Sequence, residues 1–239
     1  MLIQTIDLAR FIQIYIIQLG IGGIYFLIIT ALILRRSTKN LNQIFSMFFI
    51  SVAIGTVINV IYAPLTNSVL VKFLNIFTYF MFCLAMVFLL IFNLMLLKSE
   101  KVINPRKQVI IVIIWALILL GLFFIGMLSG VSIDEKTDWK PVWDLPFFLY
   151  GIIVCSIFMI IPTIFTSIQI YKDFEDEEIK KKWMFFLIGI SFYYFMWAGT
   201  TISNFLAKDL IRSVWGIIAL IAFLAIYAMY YGVGKQIED

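Results

Sequence analysis

The sequence has no histidine, and only 13% of its 239 residues are Asp, Glu, Lys or Arg. Without histidine there is no imidazole metal ligand, no Ser-His catalytic pair and no phospho-accepting imidazole. The charged residues are also absent from the middle of every long apolar run, lying instead in connections or near run ends. Proton pumps and proton-coupled carriers need ionisable groups within the bilayer. An intramembrane aspartyl protease needs two acids there, and a retinal protein needs a lysine midway along its seventh helix. Between Arg212 and Lys235 there is no lysine. Neither enzymatic activity nor a cofactor or metal is therefore expected. The two cysteines, Cys83 and Cys155, fall inside apolar runs and read as small buried hydrophobes rather than a disulfide. The net charge of +4 does not gather into one basic block, which argues against nucleic acid as a partner.

What is present is apolar: 63% of residues are hydrophobic and the mean hydropathy is +1.05. Soluble domains are nearer half apolar and a quarter charged, so the solvent of this chain must be largely lipid. About 20 apolar residues cross a hydrocarbon core as a helix. Seven runs qualify, near 11–34, 42–63, 73–97, 108–130, 145–171, 183–206 and 211–232. The first is too long for a signal peptide and has its arginines, Arg35 and Arg36, behind it rather than ahead. The expected fold is all-α: a polytopic seven-transmembrane-helix bundle in the cell membrane, forming one domain over residues 1–239.

Orientation follows from the short loops, because Lys and Arg accumulate on the cytoplasmic side. One side carries twelve: Arg35, Arg36, Lys39, Lys98, Lys101, Arg106, Lys107, Lys172, Lys180, Lys181, Lys182 and Lys235. The other carries six: Arg10, Lys72, Lys136, Lys140, Lys208 and Arg212. The N-terminus is thus expected outside and the C-terminus in the cytoplasm. Runs one to three and five to seven share an orientation, as duplicated transporters require, but no residues match between the halves.

Uncharged polar and aromatic residues gather toward the expected outer side. They include Gln13, Tyr15 and Gln18 in the first run, and Asn59 and Tyr62 in the second. The third adds Asn75, Thr78 and Tyr79. In the sixth, Tyr194, Trp197, Thr201 and Asn204 recur at i, i+3, i+7 and i+10, one helical face. One reading is an outward-facing pocket, apolar-walled with a few hydrogen-bonding groups, lined by Asn59, Tyr79, Trp197, Thr201 and Asn204. The other is packing: Tyr and Trp favour interfaces, and Asn and Thr bond across helices. Trp139 and Trp143, in the long outer loop, are read first as interface anchors and second as a lid. Small residues at Ser51–Gly55, Gly199–Ser203 and Ala219–Ala222–Ala225 mark close helix contacts. Intrachain packing is preferred for them, with a homodimer left open. Pro162, inside the fifth run, removes a backbone hydrogen bond and is expected to bend it.

On the expected cytoplasmic side, Asp176–Lys180, Glu177–Lys181 and Glu178–Lys182 are acid-before-base pairs at i,i+4, marking a helical start to the sixth span. Glu177, Lys181 and Lys182 form a candidate docking surface for a cytoplasmic signalling partner, the alternative being a solvated helix end. This basic loop runs into Trp183-Met184-Phe185-Phe186-Leu187-Ile188-Gly189-Ile190, an apolar helix with an early glycine. In this and in its seven-span plan the chain resembles the seven-transmembrane N-terminal sensor region of prokaryotic histidine kinases, which sometimes stands alone. It departs from that pattern in having no kinase after the helices and no phospho-accepting histidine. The resemblance implies a sensor that signals through a separate protein. Receptor signatures of the eukaryotic kind are missing: the third run ends Leu97-Lys98-Ser99-Glu100, and the seventh has no Asn-Pro-x-x-Tyr. The function expected is a receptor-like sensor of a neutral or lipophilic ligand, or alternatively a small facilitative transporter of a neutral solute. Membrane lipid is the remaining expected partner.

Overall fold

In the computed structural model, residues 11–234 are described, and they form a bundle of seven long helices. These are α1 (Ile14–Arg36), α2 (Asn40–Tyr62), α3 (Ser68–Lys98), α4 (Pro105–Gly130), α5 (Leu145–Asp173), α6 (Glu177–Leu206) and α7 (Asp209–Val233). All seven are long and apolar enough to cross a membrane. They lie close to the seven expected runs and exceed several of them at polar ends. Asn67 accepts from Leu70 N at 3.1 Å, Asn104 from Lys107 N at 3.1 Å, and Asp144 from Phe147 N at 3.0 Å. Each cap satisfies one of the free donors of a first turn, so the helix starts there rather than at the first apolar residue. Arg10 and Lys235, used above for orientation, lie outside the described residues.

One element departs from an all-helical chain. Between α4 and α5 a two-stranded antiparallel hairpin pairs β1 (Val131–Ser132) with β2 (Val142–Trp143), in the register Val131↔Trp143 and Ser132↔Val142. Its tip is a single tight turn, Glu135–Thr137, held by a capping box in which Asp134 and Thr137 satisfy each other's backbone. The hairpin marks one end of the bundle. The other end carries the basic loops and is called the basic end below.

The core follows from which helices are surrounded. In α3, 61% of the most apolar window is buried, against 22% in α4 and 12% in α7. Helix α3 is therefore central, packed by α2, α4 and α5, while α6 and α7 pair beside it. The outer helices turn large apolar residues outward: Ile113, Leu117, Leu120 and Phe124 on α4, and Leu210, Val214, Ile217 and Ile221 on α7. An apolar belt of this extent is excluded from water and fits a hydrocarbon solvent, the surface of a multi-pass membrane protein.

Toward the basic end the helices close on an aromatic cluster. Phe45 lies 5.2 Å from Phe49 and 5.0 Å from Phe92, and Phe92 lies 5.5 Å from Phe186, ring centre to ring centre. Phe26, Phe45, Phe48, Phe49, Phe92 and Phe186 are all fully buried. Gly189 brings α6 and α7 together here, since a Cβ at this position would lie 2.5 Å from Met229 N. That is the physical role of the early glycine in the sixth span, and it makes this contact intrachain. Cys83 and Cys155 are free and fully buried. Around Pro162 the fifth helix widens into a π-helical turn over Ser156–Ile160, accommodating the missing backbone donor.

Candidate ligand-binding site

At the hairpin end the bundle opens into a cavity of about 420 Å³. Its walls come from α1, α2, α3, α6 and α7, with Lys140, Pro141 and Trp143 of the hairpin segment at its mouth. Of the five residues expected to line a pocket, Asn59, Tyr79, Trp197 and Asn204 do so. Thr201 does not. It is fully buried behind Tyr79, its hydroxyl donating to Trp197 O at 2.8 Å and lying 3.2 Å from the Tyr79 hydroxyl. Tyr194 is also absent from the lining. The face that α6 presents is Tyr193, Met196, Trp197, Thr200, Ser203 and Asn204. It is rotated about a fifth of a turn from the expected stripe, because polar residue type alone marks a helix face only to within a neighbouring position.

Much of the wall is internally hydrogen-bonded. Asn59 Nδ2 donates to Gln18 Oε1 at 2.5 Å, tying α2 to α1. Asn75 Nδ2 donates to the Tyr62 hydroxyl at 2.8 Å, tying α3 to α2. Trp215 Nε1 donates to Thr200 Oγ1 at 3.1 Å, tying α7 to α6. The Trp215 indole passes directly over Gly199, where any Cβ would overlap the ring, so the Gly199–Ser203 strip serves α6–α7 packing within the chain. The side chain of Gln13 lies outside the described set.

Trp143 corrects an expectation. It was read first as an interface anchor, yet it is 3% exposed and forms part of the cavity wall. Its ring lies 4.6 Å from Tyr79 and 4.9 Å from Phe147, and Nε1 faces Asn75 Oδ1 at 3.4 Å. The β2 register turns Trp143 inward, and loop composition carries no register information. Tyr79 in turn stacks on Trp197 at 6.1 Å with an interplanar angle of 11°.

The seventh helix was missed as a wall. Asp209, Arg212, Ser213, Gly216, Ala219 and Leu220 recur at helical spacing and all border the cavity. That spacing was visible in the sequence; what hid it was counting Arg212 only as a loop charge. Arg212 Nη2 donates to Pro141 O at 2.6 Å, and Lys140 lies 2.8 Å from Asp138 and 3.7 Å from Asp209. The hairpin is thus fastened to the first turn of α7, and the charge at the mouth is largely compensated.

At the basic end of α6, Glu177 and Lys181 are exposed and Lys182 is half-buried. Of the three expected i,i+4 pairs, Glu178–Lys182 forms. Glu177 instead pairs with Lys180 at 3.0 Å, one residue nearer than Lys181. Among the described residues Asp176 pairs with no lysine; its carboxylate caps the helix, accepting from Glu178 N at 2.7 Å and Ile179 N at 3.1 Å. Capping satisfies free backbone donors and outcompetes an exposed ion pair worth a few tenths of a kcal/mol.

The helices, their lipid-facing exterior and the enclosed cavity define the class as an all-α, multi-pass membrane bundle. No protein-family model and no curated protein sequence matches the chain.

Proposed function

We propose that this protein is a receptor-like sensor that binds a neutral or lipophilic ligand in the hairpin-end cavity and signals from its basic end. In this reading it sits in the cell membrane with the N-terminus outside and the C-terminus in the cytoplasm, so the cavity faces outward. The observation that carries the proposal is the asymmetry of the bundle. A cavity of about 420 Å³ lies at one end, within the range of small-molecule sites, and a closed aromatic core at the other. Helix α6 spans both, bringing Trp197 and Asn204 to the cavity and Glu177, Lys181 and Lys182 to the basic end. A ligand that shifts α6 therefore acts on the segment that a cytoplasmic partner would meet. The resemblance to kinase sensor regions points the same way, with the effector supplied by another chain.

A specific observation favours the second reading, a facilitative transporter of a neutral solute. A cavity open at one end and sealed at the other is one state of an alternating-access cycle, and α5 is interrupted by a π turn beside Pro162. Native mass spectrometry of the detergent-purified protein tests the shared premise. A bound small molecule lost in Trp197→Ala or Asn204→Ala, with insertion intact, supports the site; an apo mass in the parent protein counts against it. Solute flux in proteoliposomes then marks a transporter, whereas a copurifying cytoplasmic protein without flux marks a sensor.

A further inference from the structure

The polar groups around the cavity are unequally satisfied, and the imbalance has a sign. The amides of Asn59 and Asn75 donate to Gln18 and Tyr62, and the Trp215 indole to Thr200. Thr56 Oγ1 donates to Val52 O at 2.9 Å. The Trp197 indole and the Thr78 hydroxyl differ. Trp197 Nε1 and Thr78 Oγ1 are buried with no hydrogen-bond partner among the described residues. An indole nitrogen donates and never accepts, so only an acceptor completes it. Buried polar groups are nearly always paired, and an exception beside a cavity asks for a partner from the cavity.

The remaining walls limit what that acceptor belongs to. Tyr79, Phe82, Trp143, Tyr193, Trp197 and Trp215 surround the space with ring faces and edges. The charged lining residues are Lys140, Asp209 and Arg212; Asp138 and Asp209 offset Lys140, and Arg212 Nη2 is engaged by Pro141 O. No charged residue lies beside Trp197 among the lining residues of α6, and an ion there would be desolvated without a counter-charge.

We infer that the cavity selects an uncharged, flat molecule presenting a hydrogen-bond-accepting oxygen, such as an aryl ketone, and that Trp197 Nε1 donates to that oxygen. The inference rests on the cavity being a ligand site and specifies its chemistry. Nε1 is covered in the present arrangement, where the Trp197 ring stacks on Tyr79. The Thr78 hydroxyl on the facing helix is covered as well, so donation to a ligand requires the Trp197 indole to turn out of that stack, or the Thr78 side chain to rotate toward the cavity.

Two probes of nearly identical shape separate the possibilities: 2-acetylnaphthalene, which carries the acceptor, and 2-isopropenylnaphthalene, a hydrocarbon in which CH2 replaces the oxygen. Binding is measured by equilibrium dialysis against the purified protein in lipid nanodiscs. Binding to protein-free nanodiscs is subtracted as partition into lipid. The expected result is tighter binding of the ketone by about 5-fold, the worth of one net hydrogen bond. Trp197→Phe keeps a ring and removes the donor. It should abolish that preference, so that the two probes bind the variant equally, at whatever affinity the altered wall sets. Equal affinity of the two probes for the parent protein overturns the acceptor inference and leaves the cavity as an unselective apolar site. That comparison needs no variant to fold. Saturable binding of neither probe overturns both the inference and the ligand-site reading beneath it.

Discussion

The two ends of this bundle are built from the same helices and come out differently. At the basic end α2, α3 and α6 supply Phe45, Phe49, Phe92, Trp183 and Phe186, whose rings interdigitate at stacked, tilted and edge-to-face angles and are fully or almost fully buried. At the hairpin end α1, α2, α3, α6 and α7 supply amides, hydroxyls and indoles, and the helices stand around a cavity. Lipid offers no hydrophobic force to drive helices together, so association depends on van der Waals fit and interhelical hydrogen bonds. Rings that interdigitate close a bundle fully. Hydrogen-bonded pairs such as Gln18–Asn59 and Tyr62–Asn75 hold backbones at the length of two side chains, and the space between them remains. Closure and opening therefore go with the side chains that face the middle of the bundle at each level, since the buried Asn93 network joins α3 to α5 without leaving a cavity among the described residues of that half.

That comparison is broken most severely by opening the closed end. Phe45→Ala removes the ring shared by Phe49, Phe92 and Phe186, and should destabilise the protein by about 3 kcal/mol. The check is thermal unfolding in detergent, followed by size-exclusion chromatography. Gly189→Leu forces α6 off the Met229 backbone and should cost about 2 kcal/mol, read the same way. A melting curve unchanged by this substitution would deny the close α6–α7 contact.

A smaller effect separates packing from hydrogen bonding. Asn93 Nδ2 reaches Thr163 O at 3.0 Å, Thr166 Oγ1 at 3.1 Å and Ser167 Oγ at 2.6 Å, joining α3 to α5. Asn93→Ala should cost about 1 kcal/mol, the usual size of an interhelical polar contact in a membrane. At the open end, Asn204→Trp should leave the melting temperature nearly unchanged, because it fills space rather than disrupting contacts, while reducing ligand binding by about 10-fold or more. A large loss of stability there would show that the cavity wall is a packing surface. The smallest effect is expected at the start of α6. Glu178→Ala removes an exposed pair with Lys182 and should change stability by roughly 0.3 kcal/mol, while altering capture of a cytoplasmic partner if this segment docks one.

Much of this was legible in advance, and the reason differs by element. Seven apolar runs bounded by charges and turn residues locate seven helices, since no other open backbone satisfies its hydrogen bonds in hydrocarbon. Asn59, Tyr79, Trp197 and Asn204 border one cavity, as their depth implies, because polar residues on helices of alternating direction share a level. Thr201 was placed one position too far round α6, and its hydroxyl is spent on Tyr79 and Trp197. Trp143 was misjudged because its direction depends on a two-residue strand register, and Arg212 because its partner, Pro141, is 71 residues away along the chain.

Composition and periodicity alone determined the lipid-facing exterior, the number of spans and the depth at which polar residues gather. These are properties of each helix against its solvent, and a single helix carries them. Only the tertiary structure decided which side of α6 faces inward, that Gly189 and Gly199 serve contacts within one chain, and that the Trp197 donor beside the cavity finds no partner among the described residues. Those depend on helix rotation and on partners distant in sequence, and rotation is set by the sum of all contacts around a helix rather than by its own residues.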